Sequence, residues 1–307
     1  MSFAVRPQVT WRLRTRTLPL GERTLVVGIL NVTPDSFSDG GQFLDTPSAV
    51  SHALAMLDDG ADILDLGGES TRPNSTTLAA GEEQARVLPV LRAILAARPG
   101  AILSIDTYHA ETARLAIESG AEIVNDVSGF LWDEQMPAIC AALGCGVVLM
   151  HTRGRPGEWR GLPPLAPNEV VPLVRSALAT RAREAVAAGV AHDTIVLDPG
   201  FGFGKRLDEN FPLLAHLDAL HALGFPLLAG ISRKSFLTRP EPKVPGAAQT
   251  TLSQSQGTAS EALAATTAAN TAAVLAGAHI LRVHDVHPAV QAAAIADRIL
   301  ASASPAP

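Results

Sequence analysis

Eight short apolar runs, each followed by a helix-length segment, constrain the fold of this 307-residue chain more than any other feature. The runs are continuous rather than alternating, which is typical of parallel strands that are buried on both faces. They span residues 24–30, 61–66, 101–105, 121–125, 146–150, 194–198, 226–230 and 278–283. The segments between and after them, which we predict to be helices, span residues 47–59, 80–97, 109–119, 133–143, 168–188, 208–222, 257–276 and 287–302.

The repetition of strand–helix units predicts an α/β fold with parallel pairing and right-handed crossovers. Eight units match a single-domain (βα)8 TIM barrel, with mobile loops at the carboxyl ends of its strands, and an open doubly wound sheet is the alternative. We predict an N-terminal extension with a first strand pair in residues 1–20, the barrel domain in 21–302 and a frayed tail in 303–307. Residues 238–258, rich in Pro, Gln, Ser and Thr, predict a flexible excursion after the seventh strand.

Composition and charge argue against several classes of protein. A net charge of -6 offers no basic stripe for nucleic acid or for an anionic membrane surface. No apolar run is long enough to cross a membrane and no secretory signal is visible, so we expect a cytoplasmic protein. Cys140 and Cys145 lie without a Cys/His cluster, and we expect them to be free buried thiols rather than zinc ligands.

Polar or ionisable side chains follow the carboxyl ends of all eight predicted strands. They are Asn31, the GGESTRP segment of residues 67–73, Asp106, Asn125 with Asp126, His151, Asp198, the SRKS segment of residues 232–235, and Arg282 with His284 and Asp285. Any one of them could be a helix cap, a core histidine or a surface ion pair. Because the active sites of α/β barrels lie at this end of the strands, their common position predicts one site.

The chemical types of these groups predict a planar heterocycle that carries a diphosphate. Carboxylates and amides accept N–H bonds from an amino-pyrimidinone edge, and a carboxylate can accept two in parallel. These acceptors are Asp106, Asn125 and Asp198. The cations or potential cations, which suit phosphate oxygens or a ring carbonyl, are Lys234, Arg282 and His284. Asn31 and the aspartates of the following loop offer hard oxygen ligands for Mg²⁺, an ion that bridges substrate phosphates.

Two further motifs are interpreted more narrowly. The GFGFGK segment of residues 200–205 lacks both the phosphate-loop and the dinucleotide-binding spacing. We expect its glycines to let the backbone pass close to a flat ligand. Lys234 could form a Schiff base, but its sequence neighbours Arg233 and Ser235 predict no apolar pocket that would lower its pKa.

Seven segments of the chain resemble, in order and spacing, the motifs of the bacterial dihydropteroate synthases. They are GILNVTPDSFSDGG, ADILDLGGESTRP, SIDT, VNDVSG, DPGFGFGK, SRKSF and LRVHDV. The resemblance runs over residues 20–300 and implies a pterin-binding TIM barrel. It implies a folate-biosynthetic transferase that condenses 6-hydroxymethyl-7,8-dihydropterin diphosphate with 4-aminobenzoate. The products would be 7,8-dihydropteroate and pyrophosphate, formed by an SN1-like alkyl transfer.

The resemblance also implies roles for individual residues. The pterin and its diphosphate would be bound by Asp106, Asn125, Asp198, Lys234, Arg282 and His284. The 4-aminobenzoate side, where sulfonamide inhibitors compete, would comprise Thr71, Arg72, Pro73, Phe203 and Ser232. The residues implied in catalysis are Lys234, Arg282 and Asp35. Asn31 would coordinate Mg²⁺, and the loop after it would close over the site as a lid.

The chain also departs from the family pattern. HTRGRP, residues 151–156, stands where many relatives have Met-Gln after the histidine, and residues 260–270 lack an arginine usual in the family. The second departure borders the family's dimer contact and bears on the expected homodimer. Two alternatives are a pterin-dependent corrinoid methyltransferase and an inactive pterin-binding paralogue. The intact GILNVTPDSFSDGG and GGESTRP segments favour the synthase over both.

Overall fold

The computed structural model describes residues 6–33, 45–69, 78–238 and 258–303. Four residues predicted to belong to the site lie outside this part of the chain: Asp35, Thr71, Arg72 and Pro73. Most of the predicted lid and of the 238–258 excursion, and residues 304–307 of the tail, also lie outside it.

The described residues form ten strands and eight α-helices. The strands are β1 Val9–Arg12, β2 Thr17–Leu20, β3 Leu25–Asn31, β4 Ile63–Gly67, β5 Leu103–Asp106, β6 Ile123–Asp126, β7 Gly146–Met150, β8 Ile195–Asp198, β9 Leu228–Ala229 and β10 Ile280–Val283. The helices are α1 Thr46–Asp58, α2 Ala80–Ala97, α3 Ala110–Glu118, α4 Met136–Leu143, α5 Pro167–Ala187, α6 Asn210–Ala215, α7 Ala259–Leu275 and α8 Val286–Ala303.

Strands β3 to β10 form one parallel sheet in the order β8-β7-β6-β5-β4-β3-β10-β9. Its two edges meet, because Leu197 of β8 pairs in parallel with Leu227, just before β9. There the backbone N–H of Leu197 donates to the carbonyl of Pro226 at 3.0 Å. The (βα)8 barrel is therefore confirmed, and the doubly wound alternative is wrong.

The inner face of the barrel changes from apolar to polar along the strands. Alternate residues of a strand point to opposite faces, so one set packs against the helices and the other lines the barrel. A lower inner layer consists of Val27, Ile63, Ile123, Val148, Val196, Leu228 and Ile280. Two positions further along, four of these seven strands carry a charged or amide side chain: Asp65, Asn125, Asp198 and Arg282. This layering explains why strands buried on both faces end in the polar groups of a site.

The hairpin of β1 and β2 covers the amino-terminal end of the barrel. The two strands pair antiparallel, with Val9 opposite Leu20. Trp11 and Leu13 are each only 1% exposed and pack in the lower inner layer. The indole N–H of Trp11 donates to the carbonyl of Thr194 at 2.8 Å, which ties the hairpin to the start of β8. The hairpin lies within residues 1–20, although its apolar side chains belong to the core of the barrel.

The predicted helix over residues 208–222 is wrong as a continuous element. It consists of α6 between 3₁₀ segments at Leu207–Glu209 and Leu217–Leu223. His216 interrupts it with φ -124° and ψ 35°. The buried leucines continue at helical spacing across the interruption, which is why the sequence pattern resembles one helix.

Two other expectations concern the cysteines and membrane spans. Cys140 and Cys145 are both free and buried, as expected. None of the helices in the described part of the chain is both long and apolar enough to cross a membrane.

Candidate active site

The strand register brings the predicted site residues of neighbouring strands to one level. Asn31 pairs with Gly67, Gly67 pairs with Asp106, and Asp106 pairs with Asn125 across four adjacent strands. On the far side of the barrel, Asp198 ends β8. Three predicted site residues, Asn31, Asp106 and Asn125, therefore lie in register at the carboxyl ends of their strands, and Asp198 lies at the same end of the barrel.

Arg282 joins two carboxylates at the centre of this rim. Its Nε donates to Asp65 Oδ2 at 2.6 Å and its Nη2 donates to Asp106 Oδ2 at 2.5 Å. Asn125 Nδ2 donates to the same Asp65 oxygen at 2.9 Å. Of the predicted pterin-binding residues, the structure thus brings Asp106, Asn125 and Arg282 into one hydrogen-bonded cluster. Arg282 is engaged with carboxylates in this conformation rather than projecting into the mouth of the barrel.

Asp65 is a member of this cluster that the sequence analysis missed. It lies inside the ADILDL run, where it was assigned to a buried strand and given no function. Its side chain is 1% exposed. A charged residue at an inward position of a barrel strand is the signal that could have identified it, because buried charges are paired or functional.

Burial dominates the titration of the two aspartates predicted to bind the heterocycle. It raises the pKa of Asp106 to about 7, an effect that Arg282 opposes and that Asp65 and other carboxylates reinforce. Burial also raises the pKa of Asp198, although the backbone N–H of Gly200, which donates to it at 2.6 Å, acts in the opposite direction. Asp106 therefore changes charge near neutral pH.

The raised pKa of Asp106 predicts a stability cost that grows as pH increases. Between about pH 4, near the ordinary aspartate pKa, and about pH 7, the folded chain binds a proton at Asp106 that the unfolded chain has released. The extra proton stabilises the folded chain. This stabilisation is complete below that window and is lost as pH rises through it. Asp106→Asn does not titrate, so its stability should increase relative to wild type by up to ~1.4 kcal/mol per pH unit.

Urea unfolding of both proteins between pH 5 and pH 8 measures this difference. Asp193→Asn is the matched control, because Arg12 lowers the pKa of the exposed Asp193 carboxyl group. That control should not gain stability over wild type as pH rises. Parallel curves for wild type and Asp106→Asn would show that Asp106 is ionised throughout the range.

Lys234 lies in an apolar environment that its sequence neighbours did not predict. Its Nζ is 4.0 Å from the centroid of the Phe203 ring, a distance suited to a cation–π contact. Burial lowers the pKa of Lys234 to about 8, assisted by Arg282 and opposed by Asp198 and Asp106. The expectation of no apolar pocket is wrong because the ring comes from the loop after β8, about thirty residues away along the chain.

The glycines of the GFGFGK segment accommodate a neighbouring loop. Gly200 and Gly204 have φ values of +67° and +70°. A Cβ on Gly200 would lie 2.0 Å from the carbonyl oxygen of His151, and one on Gly204 would lie 2.6 Å from Arg153 Cβ. Only glycine fits these positions, because the loops after β7 and β8 are packed against each other. These two glycines therefore allow the two loops to pack closely, and the approach of a flat ligand to this segment stays a prediction.

Lys205, the last residue of that segment, is a second residue that the sequence analysis passed over. Its Nζ is 2.8 Å from His151 Nδ1 and donates to the carbonyl of Phe203 at 3.2 Å. Burial lowers the pKa of Lys205 to about 7, and burial followed by the charge of Lys205 lowers the pKa of His151 to about 2. The neutral imidazole therefore accepts a bond from the amine and anchors the loop that carries Phe203.

His284 is a neutral hydrogen-bonding group in this structure. Its backbone N–H donates to Ser232 Oγ at 3.2 Å, and its Nδ1 lies 3.1 Å from the same oxygen. Burial, with the nearby charges of Arg233 and Arg282, lowers the pKa of His284 to about 3. His284 is therefore neutral in this structure, and it can offer an N–H donor to a phosphate.

Phe203 belongs to a cluster of aromatic side chains near the rim. Trp159 packs edge-on against Phe203, with ring centroids 5.4 Å apart. Tyr108 and Trp132 form a second edge-on pair at 5.0 Å, and the guanidinium of Arg155 lies 4.9 Å from the Trp132 ring. Arg155 and Trp159 follow β7, and Arg155 belongs to the HTRGRP segment, residues 151–156, which departs from the family pattern. Part of this aromatic cluster therefore includes a segment in which the chain departs from the family pattern.

The residues present at the rim fit a magnesium ion held mainly by substrate. The described residues contain no group of three or more His, Cys, Asp or Glu side chains placed to bind a metal. Mg²⁺ needs no such cage, because it keeps several waters and binds substrate phosphates with one or two protein oxygens. Asn31 ends β3 at the rim and is only half-buried, so its amide oxygen suits this role.

Comparisons with known proteins agree with this geometry. The family model described as pterin binding enzyme matches residues 27–284. The dihydropteroate synthase of Synechocystis sp. is 40% identical over 283 residues, which cover 91% of each chain. The Xanthomonas albilineans dihydropteroate synthase with 4-aminobenzoic acid superimposes with a TM-score of 0.82 at 37% identity, covering 96% of this chain and 99% of that one.

A further solved structure is that of the Yersinia pestis dihydropteroate synthase in complex with a sulfonamide drug. It has a TM-score of 0.82 and 37% identity, and the match covers 96% of this chain and all of that one. Matches of this extent and identity establish common ancestry over the whole barrel and not only a shared fold. The chain belongs to the family of pterin-binding enzymes that includes the dihydropteroate synthases.

Proposed function

We propose that the chain catalyses the condensation of 6-hydroxymethyl-7,8-dihydropterin diphosphate with 4-aminobenzoate to form 7,8-dihydropteroate and pyrophosphate. The observation that best supports this proposal is at the inner rim. There, hydrogen-bond acceptors suited to the edge of a heterocycle lie beside cations suited to a diphosphate. These residues are Asp106, Asn125, Asp198, Lys234 and Arg282. The named function of the Synechocystis relative supports the same activity.

The proposed reaction breaks the C–O bond to the diphosphate and forms a C–N bond to the arylamine, whose nitrogen loses one proton. Negative charge grows on the leaving group, and Arg282, once displaced from Asp106, stabilises it together with the His284 N–H by hydrogen-bond donation. Positive charge grows on the pterin methylene, and the carboxylates of Asp106 and Asp198 stabilise it across the conjugated ring. Because Arg282 is bound to Asp106 in this structure, the heterocycle replaces the guanidinium as the partner of that carboxylate.

The arylamine side of the site is proposed to lie beside Phe203 and Ser232. Both residues are buried at the rim, and Ser232 bonds to His284, so the arylamine and the diphosphate would be neighbours. The Xanthomonas relative was solved with 4-aminobenzoic acid and the Yersinia relative with a sulfonamide drug, which supports competition between the two ligand classes here. Asp35, Thr71, Arg72 and Pro73 are carried to this side by resemblance alone.

Magnesium is proposed as the cofactor, with Asn31 as its protein ligand. When bound, the ion would neutralise charge on the departing diphosphate. Asn31→Ala should raise the Mg²⁺ concentration needed for half-maximal activity about fivefold, because one of few protein oxygens is lost. Calorimetry of pterin diphosphate binding against Mg²⁺ concentration gives a readout independent of turnover.

Asn31→Asp is the matched variant for this prediction. It keeps a hard oxygen at the same place, so its Mg²⁺ requirement should stay near that of wild type or fall. An unchanged requirement in Asn31→Ala would remove Asn31 from the proposed metal site.

The test of the proposed function is an assay of the full chain with Mg²⁺ and both substrates. Dihydropteroate and pyrophosphate should appear in equal amounts, and a sulfonamide should inhibit until 4-aminobenzoate is raised. Pterin binding without product would indicate the inactive paralogue. Methyl transfer from methyltetrahydrofolate to a corrinoid, with no dihydropteroate, would indicate the rival enzyme.

The cytoplasm as the site of action and a homodimer as the assembled form are further proposals. The two free buried thiols suit a reducing compartment. Helix α8 exposes Ile295 and Ile299 to solvent, at 57% and 36%, which suits a contact with a second copy. Light scattering on the purified chain measures the assembled mass directly.

A further inference from the structure

Asp65 is buried deep in the barrel, below the residues that end the strands. It occupies the inner position of β4 directly above the apolar Ile63. With Ser104, Asn125 and Arg282 it lines an internal cavity of about 10 Å³, roughly the room that one water molecule takes. Its Oδ1 atom is buried and has no hydrogen-bond partner among the described residues. A buried carboxylate oxygen without a partner costs free energy, so its presence beside a cavity calls for an explanation.

The other oxygen of Asp65 determines how the Asn125 amide is oriented. A side-chain amide can present either its carbonyl oxygen or its NH₂ group in a given direction. An aspartate paired with a guanidinium only accepts, so the Asn125 atom 2.9 Å from Asp65 must be the nitrogen. The carbonyl oxygen of Asn125 then points away from Asp65, because the oxygen and the nitrogen lie on opposite sides of the Cβ–Cγ bond axis. Asn125 therefore offers an acceptor to a ligand that reaches it from that side.

Asp65 also holds the inner end of the Arg282 side chain. It binds Nε, the guanidinium nitrogen nearest the chain, whereas Asp106 binds the terminal Nη2. A ligand that displaces the arginine from Asp106 can therefore leave the contact with Asp65 in place. The same carboxylate thus restrains two residues assigned to ligand binding.

We propose that Asp65 is a positioning residue that makes Asn125 an obligate acceptor and so selects heterocycles that present an N–H donor edge. The inference rests on the proposed function, because it takes the ligand of Asn125 to be a pterin. The 2-amino group of a pterin is such a donor, whereas the matching lumazine carries a carbonyl oxygen there. Against an oriented Asn125 oxygen, the lumazine meets acceptor with acceptor, which disfavours it.

The first test compares two affinities of the full chain, for 6-hydroxymethylpterin and for 6-hydroxymethyllumazine, by calorimetry. Asp65→Ala removes the acceptor and admits water, which donates or accepts equally well, so Asn125 becomes free to turn. The preference for pterin over lumazine should fall at least about fivefold, and the KM for the pterin diphosphate should rise more than kcat falls. Asp126→Ala is the control, because Asp126 is also fully buried and follows Asn125 on β6, but it binds backbone N–H groups of its own turn.

The second test exchanges the two side chains with Asp65→Asn and Asn125→Asp in one protein. The new amide at position 65 then donates to the new carboxylate at position 125, which still presents an acceptor to the ligand. The exchanged protein has the charge of wild type and should retain its preference for pterin. This variant keeps the proposal open to refutation if Asp65→Ala does not fold.

The outcomes separate the two levels of inference. Equal weakening of both ligands in Asp65→Ala, or loss of the pterin preference in the folded exchange variant, would overturn the positioning role alone. Wild-type protein that binds neither pteridine would overturn the proposed function and this proposal together. A reduced preference in Asp65→Ala, an intact preference in the exchange variant and an unchanged preference in Asp126→Ala would support the role.

Discussion

Asp198→Ala is expected to weaken the binding of a pterin at least about a hundredfold, because hydrogen bonds to a charged group contribute ~1.5–3 kcal/mol each and this carboxylate can accept two from the heterocycle. Asp198 is 5% exposed at the end of β8, and one of its oxygens already accepts from the backbone N–H of Gly200. It also supplies negative charge that favours the ammonium form of Lys234. Calorimetry with 6-hydroxymethylpterin measures the loss directly.

Two companion variants keep this result from being mistaken for misfolding. Asp198→Asn retains an acceptor for Gly200 but cannot accept two parallel N–H bonds, so it should bind pterin weakly while unfolding near the wild-type midpoint. Asp193→Ala removes a carboxylate at the opposite end of the same strand, where an exposed ion pair with Arg12 has little energetic weight. Pterin affinity equal to wild type in Asp198→Ala would remove β8 from the proposed binding site.

Arg282→Ala is expected to slow turnover at least tenfold, which corresponds to a barrier higher by ~1.4 kcal/mol or more. Its guanidinium is the cation at the centre of the rim and would stabilise the departing diphosphate. The substitution also leaves Asp65 and Asp106 without their shared cation. Removing one partner from a buried ion pair costs ~3–5 kcal/mol, so the variant should also be clearly less stable than wild type.

Two further variants distinguish the effect of Arg282 on turnover from its effect on stability: Arg282→Lys, and Arg12→Ala as a control far from the rim. Arg282→Lys keeps the charge but cannot span two carboxylates, because an ammonium lacks the planar fork of a guanidinium. It should recover part of the stability and less of the rate. Arg12→Ala breaks the exposed pair with Asp193 and should change neither quantity by much. Near-normal turnover in folded Arg282→Ala would refute the role of Arg282 at the diphosphate.

The barrel and its rim could be predicted because the information is local in the sequence. Each strand is a short apolar run, and the residue that follows it reaches the same end of the barrel whatever the rest of the chain does. Asp106, Asn125 and Asp198 were identified in this way, and the structure places all three at the inner rim.

What the sequence did not predict depends on contacts between distant residues. Asp65 resembled one more position of a buried strand, and its role appears only when Asn125 and Arg282 are placed beside it. The apolar surroundings of Lys234 come from Phe203. The neutral state of His284 comes from its burial, in contact with Ser232 of the neighbouring loop. A pKa depends on solvent exposure and on neighbouring charges, and a sequence motif determines neither of them.

The hairpin of β1 and β2 closes the interior of the barrel at its amino-terminal end. Trp11 and Leu13 pack there against the lower inner layer of the strands. Among the described residues, the hairpin therefore blocks access to the barrel interior from the amino-terminal end, which leaves the carboxyl ends of the strands as the side from which a ligand enters.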